Sequence, residues 1–146
     1  TIEKCRLLPA MELLREKGVD LKDHPALQVR EYIYDMAAVM RAADLVICRA
    51  GASTISELTA LGVPALMVPS PYVTNNHQEK NARTLETAGG AVVLLEKECT
   101  GQLLFQAACG ILHSETRRQE MEKAMGSLGI RDATERIYQT VLEICK

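Results

Sequence analysis

The densest run of chemically useful residues is Arg49-Ala50-Gly51-Ala52-Ser53-Thr54-Ile55-Ser56-Glu57. It follows the apolar stretch Leu45-Val46-Ile47-Cys48, which reads as a buried parallel strand. Gly51 opens a turn, and a helix is expected from about Ser53 to Leu61, stopped by Gly62. A helix entered through such a turn offers N–H groups without intrahelical acceptors and the positive end of its dipole. That combination can receive a phosphate or diphosphate. The glycine and lysine spacing is not that of a Walker A loop, nor is it G-x-G-x-x-G. Thr54 and Glu57 also fit an [ST]-x-x-E capping box, so the same residues can be read as nothing more than a helix start. Arg49 has two readings of equal weight. It is a cation for a phosphate, or a donor to carbonyls that hold the turn. His24 and His113 read as surface residues.

These residues need a frame, and the rest of the chain supplies it. Leu7, Leu8, Met11 and Leu14 recur at helical spacing up to a stop at Gly18, with Pro9 near the helix start. Leu27 to Ile33 alternates and predicts a strand. Asp35 can cap a short helix from Met36 to Ala43. After the Gly51 helix, Ala65-Leu66-Met67-Val68 predicts a buried strand and Ser70 to Asn76 a polar loop. His77 to Ala88 reads as a helix ended by Gly89-Gly90, and Ala91 to Leu95 as a further strand. Three helices follow, about Thr100 to His113, Glu115 to Met125 and Ala133 to Cys145. Four strands alternating with helices predict an α/β fold with a parallel sheet flanked on both faces. Ligands in such sheets bind beyond the carboxyl ends of the strands, which directs attention to the residues after Ile33, Cys48, Val68 and Leu95.

Composition bounds the function. At 146 residues the length predicts one domain, and 47% apolar with 25% charged residues is an ordinary globular balance. A net charge of −2 argues against a nucleic-acid partner. Thr116-Arg117-Arg118 with Lys123 is a modest basic patch that reads as a solvated face. No apolar run approaches the ~20 residues of a membrane span, and no signal peptide is visible at the start. Cys5, Cys48, Cys99, Cys109 and Cys145 are scattered, which predicts neither zinc nor a disulfide framework. They read as reduced, mostly buried core thiols of a cytosolic protein.

Four blocks in order carry a resemblance. They are Tyr32-Ile33-Tyr34-Asp35-Met36, Ala43-Asp44 through Arg49 to Glu57, Gly62-Val63-Pro64-Ala65, and Asn76-His77-Gln78-Glu79-Lys80-Asn81-Ala82. With Asp132 to Ile137 as a closing helix, they resemble the C-terminal donor domain of the MurG family. These are the UDP-GlcNAc:undecaprenyl-pyrophosphoryl-MurNAc-pentapeptide N-acetylglucosaminyltransferases of peptidoglycan synthesis. The resemblance runs from about Asp20 to the end. It implies a Rossmann-like sheet forming part of one half of a two-domain, GT-B-type glycosyltransferase.

The resemblance also implies roles, position by position. Ile33 matches the residue whose main chain recognises uracil. Ala52, Ser53, Thr54, Ile55, Ser56 and Glu57 match the segment that wraps the nucleotide, with hydroxyl and N–H groups for the diphosphate and the Glu57 carboxylate for the ribose hydroxyls. Gln78 matches a residue that binds GlcNAc hydroxyls, a task suited to an amide. Gly51, His77 and Asn81 are further candidates, His77 and Asn81 reading equally as a helix-start residue and a solvated amide. The implied chemistry is inverting and metal-independent, with no cofactor and with no catalytic base in this portion.

No segment matches the family's first donor-domain strand and its G-G-S-x-G-[AS] loop. The acceptor domain, which implies the lipid I site and contact with the cytoplasmic side of the bacterial plasma membrane, has no counterpart either. The resemblance therefore predicts a donor-binding portion that is inactive alone, marginal in stability or self-associating. The alternatives are a stand-alone UDP-sugar-binding subunit, a non-catalytic nucleotide-sugar module, and half of a UDP-GlcNAc 2-epimerase.

Overall fold

The structure, a computed structural model, describes residues 11–145. The described residues divide into two compact units, one up to residue 36 and one from residue 37. In the first, residues 11–16 are the described part of helix α1. It stops at Gly18, whose φ of 74° is the left-handed conformation expected of a helix-ending glycine. The Val19 N–H then donates to the Leu14 carbonyl at 2.9 Å. The helical part expected before residue 11, and Cys5 with it, lies outside the described residues.

The strand expected over Leu27 to Ile33 does not form; its backbone is irregular throughout. Alternation records which side chains prefer one face, but a strand exists only when a neighbour takes its N–H and C=O groups. Among the described residues no strand pairs with this segment. It makes local hydrogen bonds, Leu27 N–H to the His24 carbonyl at 2.9 Å and the Arg30 guanidinium to Gln28 Oε1 at 2.8 Å. Ile33 is half-buried there, between Tyr32 and Tyr34, whose rings meet edge-on with centroids 4.8 Å apart.

The second unit holds a three-stranded parallel sheet in the order β1-β2-β3, one strand fewer than expected. Its elements are α2 (Met36–Arg41, which begins at the unit boundary), β1 (Val46–Cys48), α3 (Ala52–Leu61), β2 (Ala65–Met67), a 3-10 turn (Thr74–Asn76), α4 (His77–Thr87), β3 (Ala91–Val93), α5 (Gly101–Leu112), α6 (Glu115–Ser127) and α7 (Ala133–Ile144). Val46, Ala65 and Ala91 stand in register, as do Cys48, Met67 and Val93. Side chains alternate between faces. Ala65, Met67, Ala91 and Val93 join Leu58 of α3 and Leu85 of α4 in the larger core cluster. Leu66 points the other way, into a smaller cluster with Ile111 of α5 and Met121 of α6. Apolar residues on both faces of β2 explain why its run is continuous rather than alternating. Among the described residues β1 is paired on one side, with β2, and its Ile47 is 49% exposed.

Helix ends follow the sequence closely. Thr100 Oγ1 accepts from the Leu103 N–H at 3.2 Å and Ser114 Oγ from the Arg117 N–H at 3.3 Å, capping α5 and α6. α7 forms where expected but buries none of its residues among those described. No helix among the described residues is long and apolar enough to cross a membrane. The basic patch is largely occupied, since Arg117 donates to the Gly110 carbonyl and Arg118 pairs with Asp44 at 3.8 Å.

The cysteines are less buried than expected. Cys48, Cys99 and Cys109 are half-buried and Cys145 is exposed, because three of them lie near element ends rather than at sheet centre. Cys48 still packs against the larger core cluster. Burial pushes its thiol up to about 11. An unfolded chain would release this proton near pH 9, which the folded chain keeps. Stability is therefore full below pH ~9 and is lost as pH rises toward 11, by ~2–3 kcal/mol in the limit. Cys48→Ala is expected to lose less stability than the parent between pH 8.5 and 10.5 in urea titrations. Parallel losses would show that Cys48 titrates as an open thiol.

Candidate functional site

The carboxyl ends of three parallel strands share one edge of the sheet, and the expected site residues of the second unit sit on the segments leaving them. After β1 the chain passes Arg49 and the fully buried Ala50 to Gly51, the N-cap of α3. Gly51 is extended (φ −72°, ψ 144°), and no side chain caps the helix. Thr54 is thus the third residue of α3 rather than its cap, and the expected capping box does not form. The physical reason is the turn itself. Gly51 already supplies the extended N-cap geometry, and its carbonyl accepts the first helical bond, from the Ile55 N–H at 3.0 Å.

Two consequences follow for the chemistry. The N–H groups of Ala52, Ser53 and Thr54 have no acceptor among the described residues. They form an open, positively polarised end on a ten-residue helix. Glu57 is exposed and makes no hydrogen bond or ion pair among the described residues. Ser56 is also exposed, its hydroxyl donating back to the Ala52 carbonyl at 3.0 Å. Ile55 differs from its neighbours, packing its side chain against the core and so anchoring the helix start.

Arg49 holds the turn. Its Nη1 donates to the Val68 carbonyl, just past β2, at 3.0 Å, and pairs with the carboxylate of Glu96, past β3. Of the two readings of Arg49, the contact with a carbonyl is the one formed.

The segment after β2 carries the remaining candidates. Asn75 and Asn76 both adopt left-handed backbone (φ 54° and 51°), which asparagine tolerates better than most residues. This pair turns the chain sharply into α4. Gln78, Asn81, Ala82 and Leu85 share one face of α4 at spacings of three and four. Ala82 and Leu85 are buried and Gln78 and Asn81 half-buried, so the amides lie at the open end of the core-facing stripe. The Gln78 Oε1 accepts from the Ser70 N–H at 2.9 Å. One lone pair of its oxygen is thereby engaged, which leaves the NH₂ group and the second lone pair. His77 is exposed, and its Nδ1 lies 2.9 Å from the Thr74 carbonyl. A carbonyl only accepts, so Nδ1 carries the proton and Nε2 is the acceptor of the neutral ring.

A cleft of about 370 Å³ lies between the loops after β2 and β3, lined by Pro69, Asn76, Glu79, Leu95, Glu96 and Lys97 among others. A larger groove, about 620 Å³, runs along α4 beside Lys80, Arg83 and Thr84, and none of the expected site residues lines either of the two. Among the described residues, no three His, Cys, Asp or Glu side chains converge to hold a metal ion. Ile33 belongs to the first unit. Ser70 and Glu96 were missed by sequence reasoning. Glu96 directly follows Leu95, one of the strand ends marked for inspection, but nothing in the local sequence reveals its partner 47 residues away.

Comparison with known proteins accounts for the arrangement. A family model described as the glycosyltransferase family 28 C-terminal domain matches residues 10–137. A curated protein of Acetivibrio thermocellus, UDP-N-acetylglucosamine--N-acetylmuramyl-(pentapeptide) pyrophosphoryl-undecaprenol N-acetylglucosamine transferase, is 52% identical over 122 residues, 84% of this chain and 33% of that protein. The crystal structure of Acinetobacter baumannii MurG superposes with a TM-score of 0.72 at 33% identity, covering 80% of this chain and 35% of the other. The glycosyltransferase VinC, solved with dTDP, shares the fold at 15% identity and a TM-score of 0.63, over 88% of this chain and 31% of its own. The chain thus spans about a third of the length of the relatives it matches. With the parallel sheet, the open α3 terminus and a match across most of its length, the chain belongs to the glycosyltransferase family 28 C-terminal domain family.

Proposed function

We propose that this chain supplies the donor site of an inverting, metal-independent N-acetylglucosaminyltransferase. In this reading it forms most of one C-terminal domain and binds UDP-GlcNAc for transfer to undecaprenyl-pyrophosphoryl-MurNAc-pentapeptide, the step from lipid I to lipid II. The observation that carries it is the uncapped N-terminus of α3 with an unengaged carboxylate one turn further on. The open N–H groups of Ala52, Ser53 and Thr54 receive the diphosphate, and Glu57 accepts from the ribose hydroxyls. Charge that develops on the departing UDP then meets donors already in place, which need no reorganisation. Gln78 offers its NH₂ group to a sugar hydroxyl, with His77 and Asn81 beside it on α4. The uracil contact of the Ile33 main chain is proposed on the resemblance alone.

The acceptor hydroxyl, the C4 hydroxyl of MurNAc, attacks the anomeric carbon from the face opposite UDP. Its base and the lipid I site are assigned to another part of the enzyme, as is attachment to the cytoplasmic side of the plasma membrane. The test is a two-dimensional amide NMR titration with UDP-GlcNAc against UDP-glucose. Shifts concentrated at residues 52–57 and at Gln78, larger for UDP-GlcNAc, are expected. A well-dispersed spectrum that does not move at millimolar ligand would overturn the donor-site reading.

A further inference from the structure

Three strand ends meet at one side chain, and the partner that completes the meeting is outside the nucleotide-wrapping segment. Arg49 leaves β1, the Val68 carbonyl leaves β2, and Glu96 leaves β3. A single guanidinium nitrogen reaches both acceptors. Two residues after Arg49 comes Gly51, and between them Ala50 is fully buried. The short link from β1 to α3 is therefore pinned from below by packing and from above by Arg49. The ion pair itself is open to water, with the two side chains 52% and 33% exposed. Exposed pairs add little to stability. The value of this one is geometric, because the N–H groups at the start of α3 must be aimed before a ligand arrives.

We propose that Glu96 is a positioning residue for the diphosphate-receiving turn. It acts through Arg49, holding the β1–α3 link against the ends of β2 and β3 and occupying the arginine's charge. The inference rests on the donor-site reading for its ligand but has a structural consequence of its own. The competing arrangement, in which Arg49 is a free cation for the diphosphate, makes the opposite prediction. If Glu96 merely competed with the diphosphate for Arg49, removing its charge would tighten donor binding. If Glu96 positions the turn, removing its charge loosens it.

Glu96→Gln keeps the size and removes the charge. In the free protein, hydrogen exchange at the Ile55 N–H, which bonds to Gly51 across the turn, is expected to speed up about tenfold, while exchange at Leu66 and Ile111 stays unchanged. In calorimetric titration the Kd for UDP-GlcNAc is expected to rise about 5–10-fold, the scale of a group acting through its neighbour. Arg49→Lys keeps the cation but loses the planar fork, and is expected to behave like Glu96→Gln. Glu98→Gln removes a nearby carboxylate that pairs with Lys97 instead, and is expected to move neither readout. Unchanged Ile55 exchange, or donor binding that is unchanged or tighter in Glu96→Gln, would overturn the proposal. Faster Ile55 exchange in a protein whose parent binds no UDP-GlcNAc would leave the clamp standing and remove the donor-site reading.

Discussion

Glu57→Ala is expected to weaken UDP-GlcNAc binding about 100-fold while leaving the melting temperature of the free chain within about 2 °C. The asymmetry comes from what the carboxylate does without ligand. It is exposed, has no partner among the described residues, and is released from capping because Gly51 rather than Thr54 begins the helix. It stands at the sixth residue of α3, beyond the first turn where an acidic side chain gains most from the dipole. Removing it therefore costs the folded chain little. In the complex it would accept two charge-assisted hydrogen bonds from vicinal ribose hydroxyls, each worth ~1.5 kcal/mol or more. Their sum, ~3 kcal/mol, is about two decades in Kd. Glu57→Gln retains an acceptor without the charge and is expected to lose about tenfold. Isothermal titration decides the matter. An alanine variant that binds within threefold of the parent would remove Glu57 from the ribose site.

This prediction depends on a detail the sequence does not reveal. The run Arg49 to Glu57 announces a strand-to-helix turn, and the structure has one. Residue types at capping-box spacing do not say which residue is the N-cap, because glycine can take that position without a side chain. Similar limits explain the other differences. β1, β2 and β3 were legible as short apolar runs, β2 between Pro64 and Pro69 and β3 just after Gly89-Gly90, and β2, buried on both faces, leaves the plainest local mark. Leu27 to Ile33 alternates as a strand should, but pairing is a property of two segments and only one is written there. Arg49 and Glu96 are 47 positions apart, and their meeting depends on strand order and register rather than on either neighbourhood. Gln78 was singled out through the family resemblance, and nothing in its neighbourhood reveals that the Ser70 N–H donates to its oxygen. α7 shows the same division. The helix expected over Ala133 to Cys145 forms, yet its apolar residues Ile137, Val141 and Ile144 remain exposed among those described.

Gly129→Ala carries the largest expected effect on stability, and it tests how firmly α3 is held from behind. A Cβ at residue 129 would lie 2.4 Å from the Thr59 carbonyl oxygen, 2.8 Å from its carbon and 3.0 Å from the Ala60 Cα. All three are backbone atoms of the last turns of α3, so no side-chain rotation relieves the contact. The requirement is close approach rather than an unusual backbone angle, since Gly129 is not among the glycines with positive φ. Either the segment after α6 must lift or the C-terminal end of α3 must move. Overpacking of this kind costs ~3 kcal/mol, the upper part of its usual range. At ~2–4 °C per kcal/mol for a chain of this size, the melting temperature should fall by ~6–12 °C. Gly101→Ala is the matched control. A Cβ there meets nothing within 4 Å, and its position at the start of α5 favours a helix former, so no loss is expected. Thermal unfolding followed by circular dichroism separates the two, and a Gly129→Ala melting point within 2 °C of the parent would show that the contact yields freely. The same variant reports on the site, because α3 carries its open N-terminus at one end and the Gly129 contact at the other. If the helix moves as a rigid body, UDP-GlcNAc binding weakens along with stability. If the segment after α6 yields instead, stability falls and binding does not.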